Sequence, residues 1–163
     1  MKARRTVREF SPEAIEEAKV RRVLEAGLLA PANTHMRDWD FILVRDMAVR
    51  VEIVEVEGNK DAECYNLDEI RSRFGHFPSM AQEVYVYAIP VQKRMILTAP
   101  ELLVVCFRMP KPVTECRVLY DLNCLASAWC CIENILLAMA GEGLWRDLLT
   151  AEEQCAARSA EHS

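Results

Sequence analysis

An apolar repeat near the C-terminal end constrains the fold of this chain more than any other feature. Between residues 115 and 140, large apolar side chains recur at alternating steps of four and three residues, which is the period of an α-helix. The members of the repeat are Val118, Leu122, Leu125, Trp129, Ile132, Leu136 and Met139. Small apolar residues occupy most of the other faces. A helix that is apolar nearly all round is predicted to lie at the centre of a fold or in a dimer interface.

Two polar residues within this repeat argue against a membrane span. Glu133 and Asn134 interrupt the longest largely apolar run, which extends from Cys124 to Ala140. A spanning helix needs about 20 consecutive, predominantly apolar residues. We therefore expect a core helix and no membrane partner.

Shorter elements are predicted before the repeat. Residues 11–30 form the first predicted helix, with Ser11 as its N-cap and one buried face. Trp39 to Val44 is short and nearly all apolar, so it is predicted to be a strand covered on both faces. Leu102 to Phe107 is predicted to be a second buried strand.

Two further segments are predicted to be helical. Residues 46–57 are compatible with a helix or a strand, and the spacing of their apolar residues favours a helix. Residues 79–97 are predicted to form a helix in which Pro90 forces a kink or a break. Together with the strands, these helices predict one α+β domain.

Composition restricts the functional class. The chain is 52% hydrophobic and 28% charged, as expected for a soluble globular protein, and its net charge of -5 argues against nucleic acid as the main partner. Its seven cysteines form no matched CxxC pairs, which argues against a disulfide framework or a metal site. The basic N-terminus is not followed by the apolar stretch of a signal peptide. We therefore expect a cytoplasmic location.

The N-terminal segment is a candidate anion site. Arg4, Arg5, Thr6 and Arg8 lie just before the first predicted helix. Guanidinium groups and a hydroxyl suit a phosphate, which offers several acceptor oxygens and nearly two negative charges. The alternative is a solvated basic tail.

The loop between the first helix and the first strand is a second candidate site. It extends from Ala30 to Trp39 and contains Asn33, His35 and Arg37. A loop can present such amide, imidazole and guanidinium groups to a ligand. The alternative is an ordinary connection between a helix and a strand.

The pair Glu133–Asn134 is a third candidate, because a buried polar group without a partner costs about 1–3 kcal/mol. Hydrogen bonds to neighbouring backbone are the favoured interpretation, and contact with a ligand is the alternative.

In this order, the three segments resemble the nitroreductase family of FMN-binding proteins. The family's Arg-Arg-Ser-x-Arg string is similar to RRTVR here, and its Ala-Pro-Ser-rich loop before a Trp is similar to APANTHMRDWDF. Ala99-Pro100 precedes the second strand, as is often so in the family. ENILLAMAGEGLW is similar to the family's long helix with a Gln-Asn pair and a Gly-Leu-Gly end. Several motifs in order are more specific than one.

The resemblance implies a fold and an activity. The fold would be α+β, with a central, mainly antiparallel sheet flanked by helices and a long helix at the core or interface. The chain would be a C-terminally shortened member, with an FMN-binding domain at residues 1–144 and a divergent tail at 145–163. It would be a homodimer whose flavin receives hydride from NAD(P)H and passes it to a nitroaromatic, quinone or similar conjugated small molecule. The protein would supply no catalytic acid or nucleophile.

The resemblance also implies site residues. Arg4, Arg5, Thr6 and Arg8 of one subunit would hold the flavin phosphate. The partner's loop would border the flavin ring through Pro31, Ala32, Asn33, His35 and Arg37. Arg37 stands where the family often has Gln.

Departures from the family pattern leave two alternatives. Trp145 replaces a small residue, and residues 146–163 have no strand pattern. These departures suggest a non-catalytic relative that keeps the dimer scaffold, either binding flavin passively or pairing with another protein. A phosphate-ligand binder unrelated to the family is a further alternative.

Overall fold

The computed structural model describes residues 7, 9–35, 37–56, 68, 71, 72, 75 and 77–144. Its elements, in chain order, are α1 (Glu17–Leu28), a 3₁₀ turn (Asn33–His35), β1 (Trp39–Leu43), α2 (Met47–Val56), α3 (Ser79–Thr98), β2 (Leu103–Phe107), two 3₁₀ turns (Val113–Glu115 and Leu119–Leu122) and α4 (Asn123–Gly141). The chain divides into two compact units. The described residues 13–44 and 100–144 belong to the first, and residues 45–56 and 77–99 belong to the second.

The two strands of the first unit pair antiparallel. The register runs from Trp39 opposite Phe107 to Leu43 opposite Leu103. Side chains of β1 alternate: Trp39 is buried, whereas Asp40 and Ile42 are exposed. The antiparallel pairing agrees with the predicted fold class. Among the described residues, the prediction that both faces of the first strand are covered is wrong, because the side chains of Asp40 and Ile42 are exposed.

The core of the first unit lies between α1, α4 and the buried face of the sheet. Val23, Ala30, Trp39, Cys131 and Ile135 form its buried centre. Burial of the Cys131 thiol raises its pKa to about 11, so this cysteine is a small apolar core residue at neutral pH. The long apolar helix therefore contributes one face to the core. That face carries Ser127, Cys131 and Ile135 and is not the face of the predicted repeat, whose Trp129 is exposed.

An ion pair joins the middle of α1 to the residue that follows α4. The guanidinium of Arg22 donates through Nε and Nη2 to the two carboxylate oxygens of Glu142, at 2.7 and 2.8 Å. This hydrogen bond lowers the pKa of Glu142. The fork geometry fixes the pair in one orientation.

The first helix begins later than predicted. It starts at Glu17, after Glu16, whose ψ of 126° is not helical and whose carbonyl accepts from Lys19 and Val20. Ser11 is therefore not its N-cap. The reason is packing: the buried positions start at Val20, and most side chains between residues 11 and 18 face solvent.

The long helix also begins later than predicted, at Asn123 instead of residue 115. The carboxylate of Asp121 accepts from the backbone N–H groups of Arg117, at 2.8 Å, and Val118, at 3.3 Å. These bonds hold a 3₁₀ turn before the helix. Lys111 Nζ lies 2.8 Å from the same carboxylate. The hydrogen bond from Lys111, followed by that from Arg117, lowers the pKa of Asp121 to about 2.

The second unit packs α2 against α3. The favoured assignment of residues 46–57 as a helix is correct, and α3 continues through Pro90 without the break that proline could have caused. Arg50 is buried on α2 and donates to the carbonyl oxygens of Ile96 and Ala99. These bonds satisfy carbonyls at the end of α3 that have no partner within the helix.

One helix in the described part of the chain is long and apolar enough to cross a membrane. It is the stretch Leu119–Gly141, which includes α4. Length and composition alone do not separate a membrane span from a core helix. The packing of α4 on α1 and on β2 places one of its sides in the core of the first unit.

Candidate functional site

The loop from Ala30 to Asp38 connects α1 to β1 and presents the polar side chains of His35 and Arg37 to solvent. Ala30 is 1% exposed and anchors the start of the loop in the core. Pro31, His35 and Arg37 are exposed. Ala32 and Asn33 are half-buried beneath them. The three exposed side chains can therefore reach a ligand without rearrangement of the core.

The backbone of the loop contains one unusual conformation. His35 has a φ of 59°, in the left-handed region that residues other than glycine adopt uncommonly. Its N–H donates to the carbonyl of Ala32 at 3.2 Å, which closes the 3₁₀ turn. The turn therefore sets the direction of the backbone that follows His35 toward Arg37.

A hydroxyl on α4 holds the middle of the loop. The N–H of Asn33 donates to Oγ of Ser127 at 3.0 Å, and the same hydroxyl donates to the carbonyl of Asn123 at 2.7 Å. The sequence interpretation missed Ser127. The available signal was a hydroxyl residue inside an otherwise apolar helical run, where a buried polar group needs partners.

The Glu133–Asn134 pair does not act as a unit. Asn134 donates through Nδ2 to the carbonyl of Ala26 on α1 at 3.2 Å, whereas Glu133 is exposed. The favoured interpretation, satisfaction by neighbouring backbone, is thus correct for Asn134. This side chain fastens α4 to the last turns of α1.

Trp39 supplies an unpaired donor beside the loop. Its Nε1 is buried and has no hydrogen-bond partner in the described part of the chain. Indole N–H groups are usually satisfied when they are buried. An acceptor from a bound molecule or a water would complete this site.

Several predicted site residues lie outside the described residues. They are Arg4, Arg5, Thr6 and Arg8 of the proposed phosphate segment, and Trp145 after the long helix. Their roles stay predictions. Among the residues that the structure describes, no cluster of three or more His, Cys, Asp or Glu side chains could hold a metal ion.

The comparison with protein families tests the resemblance that the sequence motifs indicate. The model of the Nitroreductase family matches residues 1–144, which include the basic segment, the loop and the whole of α4. The chain belongs to the nitroreductase family.

Known nitroreductase-family relatives are similar over different lengths. Iodotyrosine deiodinase of Haliscomenobacter hydrossis is 33% identical over 66 residues, which are 40% of this chain and 30% of that protein. A second similar protein is oxidised iodotyrosine deiodinase, whose structure was solved with bound FMN and 3-iodo-L-tyrosine. The two chains align over 99% of this chain and 78% of the deiodinase, at 20% identity and a TM-score of 0.70. The NADPH:FMN oxidoreductase from Vibrio harveyi complexed with NAD+ covers 86%, at 18% identity and a TM-score of 0.57. This chain spans 50% of that oxidoreductase.

Proposed function

We propose that the chain is an FMN-dependent oxidoreductase that takes hydride from NAD(P)H and reduces a small conjugated acceptor. The observation that carries the proposal is the family match over residues 1–144, which contains every segment of the candidate site. The structural relative with bound FMN has the same fold.

The chain's own residues suit the two ends of FMN. The cationic segment Arg4, Arg5, Thr6 and Arg8 would bind the phosphate, which favours guanidinium and hydroxyl donors. The loop of a partner subunit would border the flavin ring. There His35 and Arg37 offer donors to the ring's oxygen and nitrogen acceptors, and Pro31, Ala32 and Asn33 form the wall beside them.

The flavin supplies the redox chemistry when it is bound, by accepting hydride from the nicotinamide and returning it to the acceptor. The protein binds and orients the reactants and excludes water. The exposed guanidinium of Arg37 favours ligands that carry anionic or hydrogen-bond-accepting groups. The buried Trp39 Nε1 provides a donor that a ligand acceptor or an ordered water would satisfy.

We also propose a homodimer. Four exposed apolar or aromatic side chains, here called the apolar patch, lie on the first turns of α4 and the residues just before it: Val118, Leu119, Tyr120 and Trp129. Leu119 is 86% exposed. Exposed apolar side chains that lie together on a surface mark interaction sites. A second copy would cover the patch and bring the phosphate segment of one subunit to the loop of the other.

Nitroaromatics and quinones are the leading acceptors, since they accept hydride equivalents from flavins directly. An aryl halide is a second candidate, and the similarity to iodotyrosine deiodinase favours it. Reductive dehalogenation would consume two electrons and one proton per molecule and release one halide ion. Release of iodide from 3-iodotyrosine, with no reduction of a quinone or nitrobenzoate, would select this candidate.

The cellular setting follows from the same chemistry. Cys106, Cys116, Cys124, Cys130 and Cys131 are free thiols. Free thiols and a nicotinamide donor are both expected in a reducing cytoplasm. We therefore propose a cytoplasmic enzyme whose partners are neither nucleic acid nor a membrane.

Turnover with each nicotinamide tests the proposal. The FMN-loaded protein is mixed anaerobically with NADH or NADPH, and loss of the flavin's visible absorbance is followed before quinone, nitrobenzoate or 3-iodotyrosine is added. Bleaching and acceptor-dependent recovery are expected. Bound flavin that neither nicotinamide bleaches would instead support the second functional class, a non-catalytic relative that keeps the dimer scaffold.

A further inference from the structure

A buried hydroxyl on α4 is placed to control the loop of the candidate site. Ser127 is one of three buried polar or charged residues among those described, together with Arg50 and Lys93. Its Oγ makes two hydrogen bonds: it accepts from the N–H of Asn33 and donates to the carbonyl of Asn123. A hydroxyl has one hydrogen and two lone pairs, so it can donate and accept at once. The bond to Asn123 directs the hydrogen into the helix and leaves a lone pair for the loop.

This contact lies between the two ends of the loop, which are fixed in the core. Ala30 is fixed in the core beside Cys131, and Trp39 is fixed in β1. Between them, the Asn33–Ser127 bond ties the start of the 3₁₀ turn to α4. The left-handed residue His35 follows two positions later. Ser127 therefore holds the turn that sets the direction of the exposed part of the loop.

We propose that Ser127 is a positioning residue of the flavin site. By accepting from Asn33, it holds the loop in one arrangement before FMN arrives, so that binding does not have to order the loop. A loop that becomes ordered only on binding lowers the affinity for the ligand, because its conformational entropy is lost. A loop that is already ordered avoids this loss. This inference rests on the proposed function, because the loop borders FMN only if the protein binds FMN.

Asn134 provides a matched comparison within the same helix. It lies seven residues after Ser127 and also fastens α4 to the α1 region, but it does so at Ala26, before the loop begins. Removing either side chain deletes one long-range side-chain hydrogen bond to backbone. If Ser127 only stabilises the fold, the two variants behave alike toward FMN. If it positions the loop, only the Ser127 variant loses affinity.

The test measures FMN affinity by quenching of flavin fluorescence. It compares the parent protein with its S127A, S127T and N134A variants. Loss of the acceptor is expected to weaken FMN binding by roughly 5- to 50-fold in S127A. S127T retains the hydroxyl and is expected to restore affinity to within about twofold of the parent, because its oxygen can make both bonds. N134A is expected to lose stability to urea with FMN affinity unchanged within the same margin.

A readout without flavin accompanies the titration. Amide hydrogen exchange of a peptide covering residues 31–37 is measured in the FMN-free protein, and faster exchange is expected in S127A but not in N134A. If S127A does not fold, S127C takes its place, because its thiol is only slightly larger than the hydroxyl and forms weaker hydrogen bonds.

Two results overturn the proposal in different ways. FMN affinity in S127A equal to that of the parent, or lowered equally in N134A, means that Ser127 has only a structural role. A parent protein that binds no FMN contradicts the proposed function itself, and the positioning role fails with it.

Discussion

Gly27 on α1 faces Ile135 on α4 at a distance that leaves no room for a side chain. A β-carbon at residue 27 would lie 2.7 Å from Cγ1 of Ile135 and 3.2 Å from Cζ of Phe41. The close approach of the two helices therefore depends on glycine at this position. It brings the start of the candidate loop against the helix that carries Ser127.

Replacement of Gly27 by alanine is expected to destabilise the first unit. Alanine improves helix propensity by about 1 kcal/mol, but overpacking of a filled core costs about 1–3 kcal/mol, so the net change is a loss of about 1 kcal/mol. Urea unfolding measures it. G141A is the matched control, because nothing lies within 4 Å of a β-carbon built on Gly141 at the end of α4. A G27A variant at least as stable as the parent would contradict this packing.

Replacement of Asp121 by asparagine is expected to make the free energy of unfolding depend less on pH in acid. The pKa of Asp121 is about 2 in the folded chain, against an ordinary 3.8, because Lys111 and the N–H of Arg117 bond its carboxylate. The unfolded chain therefore binds more protons between these values, and the stabilising contribution is present above about pH 4 and lost toward pH 2. The difference in urea midpoint between parent and D121N should grow from pH 2 to pH 5. A constant difference for D121N would refute the assignment.

The Arg22–Glu142 pair is expected to contribute through its charge and to be sensitive to salt. The side chains are 50% and 24% exposed, so water and ions screen them. A double-mutant cycle with R22A and E142A should give a favourable coupling at low ionic strength that vanishes near 1 M salt, where the Debye length is about 3 Å. The hydrogen bond lowers the pKa of Glu142, so the coupling should also weaken as acid protonates the carboxylate. Coupling that is insensitive to both conditions would show that packing, not charge, joins the residues.

The apolar patch before and along α4 is expected to be the dimer contact. Leu119→Glu places a charge on a side chain that is 86% exposed in one copy, so the single chain should fold normally while self-association weakens by at least tenfold. Sedimentation equilibrium measures the association. M80E, at an equally apolar and exposed position on α3, is the control and should leave the dimer intact. Equal dimerisation of L119E and the parent would place the contact elsewhere.

Local patterns predicted the elements better than their boundaries. The three- and four-residue steps identified the long helix but not its buried face, which carries Ser127, Cys131 and Ile135, whereas Trp129 of the repeat is exposed. Short apolar runs identified both strands. The start at Asn123 depends on Asp121 accepting backbone N–H groups, which is a side-chain choice that periodicity does not register. Likewise, Asp40 and Ile42 are exposed because few elements cover β1, and the sequence of the strand alone does not determine how many layers surround it.

Some positions in the candidate loop could be predicted from residue type, whereas the roles of the site residues stay predictions. The loop residues that carry polar side chains were evident from their type, and Pro31, His35 and Arg37 are indeed exposed. The residue that holds the loop was not evident, since Ser127 looks like any small residue in an apolar helix until Asn33 is brought to it across the fold. Long-range hydrogen bonds of this kind depend on tertiary structure. The phosphate segment stays a prediction from residue chemistry.

Stoichiometric capture of FMN by the purified protein tests the central claim most directly. Titration of the flavin with protein, followed by fluorescence quenching and by gel filtration of the complex, should give saturation at one FMN per chain. R5A should weaken this binding at least tenfold, because one fixed charge on the phosphate is lost. Flavin that remains free in solution at every protein concentration would contradict the account.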